Sequence, residues 1–176
     1  MVAQLKKDFI IPILVLMMIC FVTSGALSLV NSVTEPIIEA AAEERTNESM
    51  HRQIPSAAEF EHIDKQGLPS SIFAVYRATN GAGYVFIVTD TGFSGEVKVI
   101  CGIDPDGRLT GSEALEHSET KGIGTVIDQT SFTDQFIGKD SRLEGVSTVT
   151  GATISTSAYV RAINSALEAF EIISMR

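Results

Sequence analysis

Hydrophobic and polar positions follow three different rhythms along the chain. From Phe9 to Asn31 no position is charged, and Ile, Leu, Val, Met and Phe dominate. A run of about 22 residues at ~1.5 Å rise covers about 33 Å, enough for the ~30 Å hydrocarbon layer of a bilayer. Pro12 falls near the start, where a helix tolerates it. A cleaved secretory signal has an apolar core of only about 7–15 residues before small residues. Here the run continues past Ser24, Gly25, Ala26 and Ser28 through Leu29 and Val30. A buried helix of a soluble core is rarely apolar all round for so long. The pattern predicts a retained transmembrane helix over 9–31. Thr34, Glu35 and Pro36 then read as a cap, an acidic first turn and an early helical proline. Ile37 to Met50 continues as an Ala- and Glu-rich stalk ending near Pro55, and 56–70 is a turn-rich connector with no predicted element.

From Ile72 the rhythm is that of strands. Ile72–Ala78 and Tyr84–Thr89 flank Asn80-Gly81, a pair suited to the positive φ angles of a hairpin turn. Gly92 and Gly95 interrupt the chain before a third strand, Glu96–Ile103. Asp104-Pro105-Asp106-Gly107 fits a type I turn, and a fourth strand follows over Arg108–Glu116. Short connections make this meander antiparallel. His117 to Gly124 ends a strand and carries two glycines; His117 and Glu119 would share a side if the strand continued. In isolation this is a polar strand end and a flexible turn. Short helical pieces are predicted near Thr125–Thr130 and Phe132–Ile137.

The last rhythm is helical. Tyr159, Ala162, Ile163, Ala166, Leu167, Phe170 and Ile173 recur at the spacing of one helix face. Before them lies a hydroxyl-rich loop, Gly145 to Ser157, uncrowded at Gly145, Gly151 and Ala152 and with Ser or Thr available as N-cap. A helix start presents unpaired N–H groups and partial positive charge, which suits a phosphate. Thr-Gly-Ala-Thr alone is weak, since Ser, Thr and Gly are ordinary loop and cap residues.

Composition narrows the function classes. With 13 basic against 22 acidic residues among 176, the formal charge is -9. Scattered cations on an acidic chain exclude a nucleic-acid partner, which needs a basic patch. Lys6 and Lys7 precede the span while Glu35 and Glu39 follow it, placing the N-terminus in the cytoplasm and the remainder outside. Cys20 lies in the span and Cys101 in a strand, where it shares the alternation of Val97, Val99 and Ile103 as a small buried side chain. His51, His62 and His117 are far apart, without metal-ligand spacing.

Three segments together are more specific than any alone. Gly-Ile-Asp-Pro-Asp-Gly at 102–107, His-Ser-Glu-Thr-Lys-Gly-Ile-Gly at 117–124 and Thr-Gly-Ala-Thr at 150–153 follow one membrane span in this order. The set resembles an FMN-binding domain family that includes the G subunit of the Rnf complex and the C subunit of the sodium-pumping NADH:quinone oxidoreductase. The likeness covers roughly Tyr84 to Phe170 plus the anchor. It implies that Thr153, the last residue of the motif Thr150-Gly151-Ala152-Thr153, is joined to the FMN phosphate as a phosphoester. A separate flavin transferase using FAD and magnesium would make the bond. It further implies that Glu119 and Thr120 help line the site. Two positions depart from the family pattern, Ser147 where Asp is common and Lys121 where Pro is common.

The expected architecture is therefore α+β: a cytoplasmic N-terminus over 1–8, the transmembrane helix over 9–31, a stalk and connector over 32–70, and an antiparallel-sheet FMN-binding domain with flanking helices over 71–176. By resemblance, the chain is an electron-transfer subunit, not catalytic alone, of a ferredoxin:NAD oxidoreductase complex coupled to sodium or proton movement. Its partners would be the other membrane and peripheral subunits. The competing readings are a subunit of the quinone-reducing complex and a membrane-anchored binding module without a redox cofactor.

Overall fold

The computed structural model describes residues 2–175 in backbone and 9–175 in side chain. Lys6 and Lys7, which carry the expectation of orientation, lie outside the described side chains. The chain divides into two compact units, one ending at Arg45 and the other running Thr46–Arg176.

Helix α1 (Val2–Gln53) begins in the first unit and ends in the second. Its apolar side chains from Phe9 to Val33 are exposed on every side, and the helix is long and apolar enough to cross a membrane. The anticipated cap at Thr34 is absent. The helix runs on through Pro36, and the Thr34 hydroxyl turns back to the Val30 carbonyl at 2.8 Å. A hydroxyl that can bond to the preceding turn need not terminate a helix.

The second unit is built on a five-stranded antiparallel sheet in sequence order. Its strands are β1 (Phe60–Ile63), β2 (Ile72–Ala78), β3 (Tyr84–Thr91), β4 (Glu96–Ile103) and β5 (Leu109–His117). Strand β1 was unforeseen: it has four residues, pairs only with β2, and exposes Glu61 and His62, so it lacks a long apolar alternation. The β2–β3 connection spans five residues, and only Gly81 and Gly83 take positive φ there. Asn80 instead uses its amide, donating to the Ser56 carbonyl and accepting from Ala82 N–H. Between β4 and β5 the expected turn closes with Gly107 N–H on the Asp104 carbonyl at 3.1 Å.

Both faces of the sheet are buried, which explains why β3 and β4 read as nearly continuous apolar runs. Phe86, Val88, Val97, Val99, Cys101 and Ile103 pack beneath α3 (Thr153–Ser174), which contributes Tyr159, Ala162, Ile163, Ala166 and Leu167. Burial pushes the Cys101 thiol up to about 12, so it behaves as a small core side chain. On the opposite face Met50, in the last turn of α1, and Ile54, just after it, pack with Ala74, Val85, Ile87 and Ile100. Gly102 and Gly111 are paired across β4 and β5 because Gln53 lies on them: a Cβ at Gly111 would stand 2.6 Å from Gln53 Oε1. Thr110 seals this contact by donating to the Gln53 carbonyl at 2.7 Å. Beyond β5 come a 3-10 turn (Gly124–Asp128), the single turn α2 (Thr130–Thr133) and a second 3-10 turn (Asp134–Phe136).

Candidate functional site

Three stretches that are remote in sequence meet at one end of the sheet. The β3–β4 turn contributes Phe93, the segment after β5 contributes Glu119, Thr120, Ile123 and Gly124, and the start of α3 contributes Gly151 to Ser155. Between them lies a cleft of about 360 Å³, within the range of small-molecule sites.

The tie among these stretches is the Glu119 carboxylate. It is only 7% exposed. One oxygen accepts from Phe93 N–H at 2.8 Å and Ser94 N–H at 3.1 Å, and the other from the Ser155 hydroxyl at 2.6 Å. Burial alone would push this carboxyl up, but the bonds from Ser155, Ser94 and Phe93, with His117 nearby, outweigh it and hold it below the ordinary range. Room for the carboxylate exists because positions 92 and 124 lack side chains. A Cβ on Gly124 would stand 2.5 Å from Glu119 Oε2 and 3.1 Å from Ser155 Oγ, and one on Gly92 would collide with the other oxygen. Thr120 adds a contact between its hydroxyl and that of Ser94 at 3.3 Å, and its carbonyl accepts from Gly124 N–H at 2.9 Å.

The start of α3 differs from the anticipated Ser or Thr cap. The N-cap is Ala152, and no side chain caps the helix among the described residues. The Thr156 hydroxyl is fully buried and donates to the Ala152 carbonyl at 2.9 Å instead of capping. It also accepts from Val149 N–H at 3.3 Å, stapling the loop to the helix. The first helical bond of α3 is Thr156 N–H to Ala152, leaving the N–H groups of residues 153–155 ahead of it beside the cleft. Thr153 is exposed, and its hydroxyl has no hydrogen-bond partner among the described residues. Gly151 takes φ +89 and Ala152 is small, so the approach to Thr153 is open. Thr150 is exposed one residue before the cleft lining begins. Ser147 faces solvent, but its backbone is fixed by reciprocal bonds with the Gln135 amide at 2.9 and 3.2 Å.

Five lining residues were not among the site residues expected from sequence. Phe93, Ile123 and Ile154 are 68%, 56% and 53% exposed, so three large apolar side chains meet water at one cleft. Gly124 and Ser155 are the other two. A signal existed for the first two: each is a lone apolar residue beside glycines in a turn, with no strand or helix face to join. Across the sheet, Arg161 of α3 forks onto Asp90 at 2.9 and 3.1 Å and onto the Thr91 carbonyl, anchoring the helix beside the cleft.

The FMN-binding domain family matches residues 92–168, the stretch that builds this cleft. The G subunit of the ion-translocating oxidoreductase complex of Methanosarcina acetivorans is 30% identical, over 93% of this chain and 95% of that protein. The chain belongs to the family of G subunits of ion-translocating oxidoreductase complexes. Two further relatives in the family are similarly covered. The G subunit of the Na(+)-translocating ferredoxin:NAD(+) oxidoreductase complex of Acetobacterium woodii is 28% identical over 92% of this chain and 91% of the relative. The G subunit of the proton-translocating ferredoxin:NAD(+) oxidoreductase complex of Clostridium ljungdahlii is 23% identical over 85% and 84%. In family terms, the hydroxyl loop and the Glu119 tie both fall inside the FMN-binding domain.

Proposed function

We propose that this chain is the flavin-carrying subunit of a membrane-bound ion-translocating ferredoxin:NAD oxidoreductase complex of the Rnf type, relaying electrons through FMN and catalysing nothing alone. The observation that carries this reading is an exposed Thr153 hydroxyl, unpartnered among the described residues, at a helix start with no side-chain cap among them, beside an apolar-walled cleft. The N–H groups and positive end of α3 suit a phosphate, and the Thr153 oxygen would carry it as a phosphoester. Thr150, Gly151 and Ala152 form the approach, and Ala152 and Gly151 leave the space that the phosphate would need. Phe93, Ile123 and Ile154 offer apolar surface for the flavin ring, while Glu119 and Thr120 hold the ring-side wall. When bound, FMN supplies the one- and two-electron chemistry; the protein binds, orients and tunes it.

A covalent link suits a domain outside the cytoplasm, where no flavin pool exists from which to rebind. In this reading residues 1–8 are cytoplasmic, 9–31 span the membrane, 32–70 form the stalk and connector, and 71–176 form the extracytoplasmic flavin domain. A flavin transferase using FAD would modify Thr153 from the solvent side, and the remaining subunits of the complex would deliver and accept electrons.

The intact mass of the full chain, purified from cells that contain such a transferase, tests the assignment. It should exceed the sequence mass by one FMN less one water, with the label on Thr153 in peptide maps. Thr153→Ala should abolish the addition, and Thr150→Ala should leave any label on Thr153. Undiminished FMN in Thr153→Ala, carried on Thr150, Ser155 or Thr156, would overturn it.

A further inference from the structure

The cleft wall is braced from behind by one imidazole. His117, the last residue of β5, has a side chain only 14% exposed. Its Nε2 lies 2.9 and 3.0 Å from the two carboxylate oxygens of Asp128, and its Nδ1 accepts from Glu119 N–H at 3.2 Å. An amide N–H only donates, and an ionised carboxylate only accepts. The partners therefore select the ring with a proton on Nε2 and none on Nδ1. Glu119, whose amide the ring holds, is the residue whose carboxylate joins the Phe93 turn to Ser155 of α3.

We propose that His117, oriented by Asp128, is a positioning residue of the cleft: its singly protonated ring fixes the Glu119 amide, and a second proton releases that amide and slackens the carboxylate tie. The only nitrogen open to that proton is Nδ1, where a new N–H would face the N–H of Glu119. Donor against donor cannot persist, so the segment 118–120 must shift. The charged groups around the ring fall on each packed element. Asp128 comes from the 3-10 turn and Glu119 from the segment after β5. The Lys98–Glu116 pair on β4 and β5 stands one position along the strands from the Val97–His117 pair. The Asp90–Arg161 pair lies in the same cross-strand row, Asp90 opposite Val97 and Val97 opposite His117. These ion pairs are internally neutralised, which leaves Asp128 and the Glu119 amide as the ring's own hydrogen-bond partners. No bond or electron changes hands; a proton changes the shape of the wall. The inference deepens the flavin reading, since it concerns the same cleft.

The test uses the full chain in detergent, in two forms. In Thr153→Ala, which on the proposed reading carries no flavin, nitrogen and amide NMR signals are followed across about pH 5–8, where an imidazole changes charge. The His117 ring and the amides of Glu119, Phe93 and Ser94 should move with one midpoint. His117→Asn places an amide oxygen near the former Nδ1, accepts the same N–H and takes no proton; there the amide movements should vanish while the high-pH positions remain. In the flavin-loaded form, the visible circular dichroism of FMN should change at that midpoint and stay constant in His117→Asn. A His117 ring that does not titrate, a Glu119 amide that ignores its titration, amide movements that survive in His117→Asn, or flavin dichroism indifferent to that midpoint would each overturn the proposal. Absence of FMN from the unmutated chain would instead refute the proposed function and leave the NMR result to stand by itself.

Discussion

Removing the Glu119 carboxylate should separate its structural from its electrostatic contribution. Glu119→Ala strands the N–H groups of Phe93 and Ser94 and the Ser155 hydroxyl, all now satisfied at 2.6–3.1 Å. Each orphaned buried donor costs about 1–3 kcal/mol. Phe93 and Ser94 sit at a hairpin tip that can relax toward water, so their share falls at the low end, and a total of roughly 2–4 kcal/mol is expected. Glu119→Gln keeps an acceptor for the two amides but loses the charge and turns the oxygen facing Ser155 into a donor, so that the Ser155 hydroxyl must turn to accept, for roughly 1–2 kcal/mol. The sign of the pH dependence follows from the depressed carboxyl. The share that follows the carboxyl's own titration is complete above the ordinary value of 4.5 and is lost as pH falls through the lower folded value, below the range of about pH 5–8 in which an imidazole changes charge. Urea unfolding of the full chain in detergent, followed by tyrosine fluorescence at neutral and acid pH, reads both effects. Glu119→Gln should have a flatter acid limb than the unmutated protein. Equal costs for the Ala and Gln variants within ~0.5 kcal/mol, or an unchanged acid limb in Glu119→Gln, would refute the tie as described.

Gly124→Ala puts a methyl group 2.5 Å from Glu119 Oε2, and should destabilise by about 1–3 kcal/mol through overpacking; the same urea titration, with flavin occupancy by gel fluorescence, checks it. Tyr159→Phe should be neutral or slightly stabilising, within about 1 kcal/mol, measured as a shift in melting temperature. The Tyr159 and Ser112 hydroxyls are buried near one another without hydrogen-bonding geometry, so deleting one removes a desolvated group and no bond among the described residues. A reporter fused to the C-terminus should be active only outside the cytoplasm; strong cytoplasmic activity with the anchor intact would reverse the proposed orientation.

The long uncharged run, the strands from Ile72 to His117 and the apolar face of α3 were legible because period and charge are local properties of a sequence. Tyr159, Ala162, Ile163, Ala166 and Leu167 had to face one side of a helix whatever they met, and they meet the sheet. The ordered motifs at 102–107, 117–124 and 150–153 likewise carried the family. Strand β1 was not legible, since four half-exposed residues acquire their conformation from pairing with β2. Nor was the cap of α3, where the fold buries Thr156 and so turns its hydroxyl onto Ala152. The assembly of the motifs at 117–124 and 150–153 into a cleft is tertiary. Phe93 and Ile123 are ordinary turn residues in the sequence, and Glu119 is one acid among 22 acidic residues. They become one wall because the β3–β4 turn, the end of β5 and the start of α3 arrive together, leaving a buried carboxylate to satisfy donors 25, 26 and 36 residues away. Hydrogen bonding over such separations depends on the packed backbone, which no local pattern encodes.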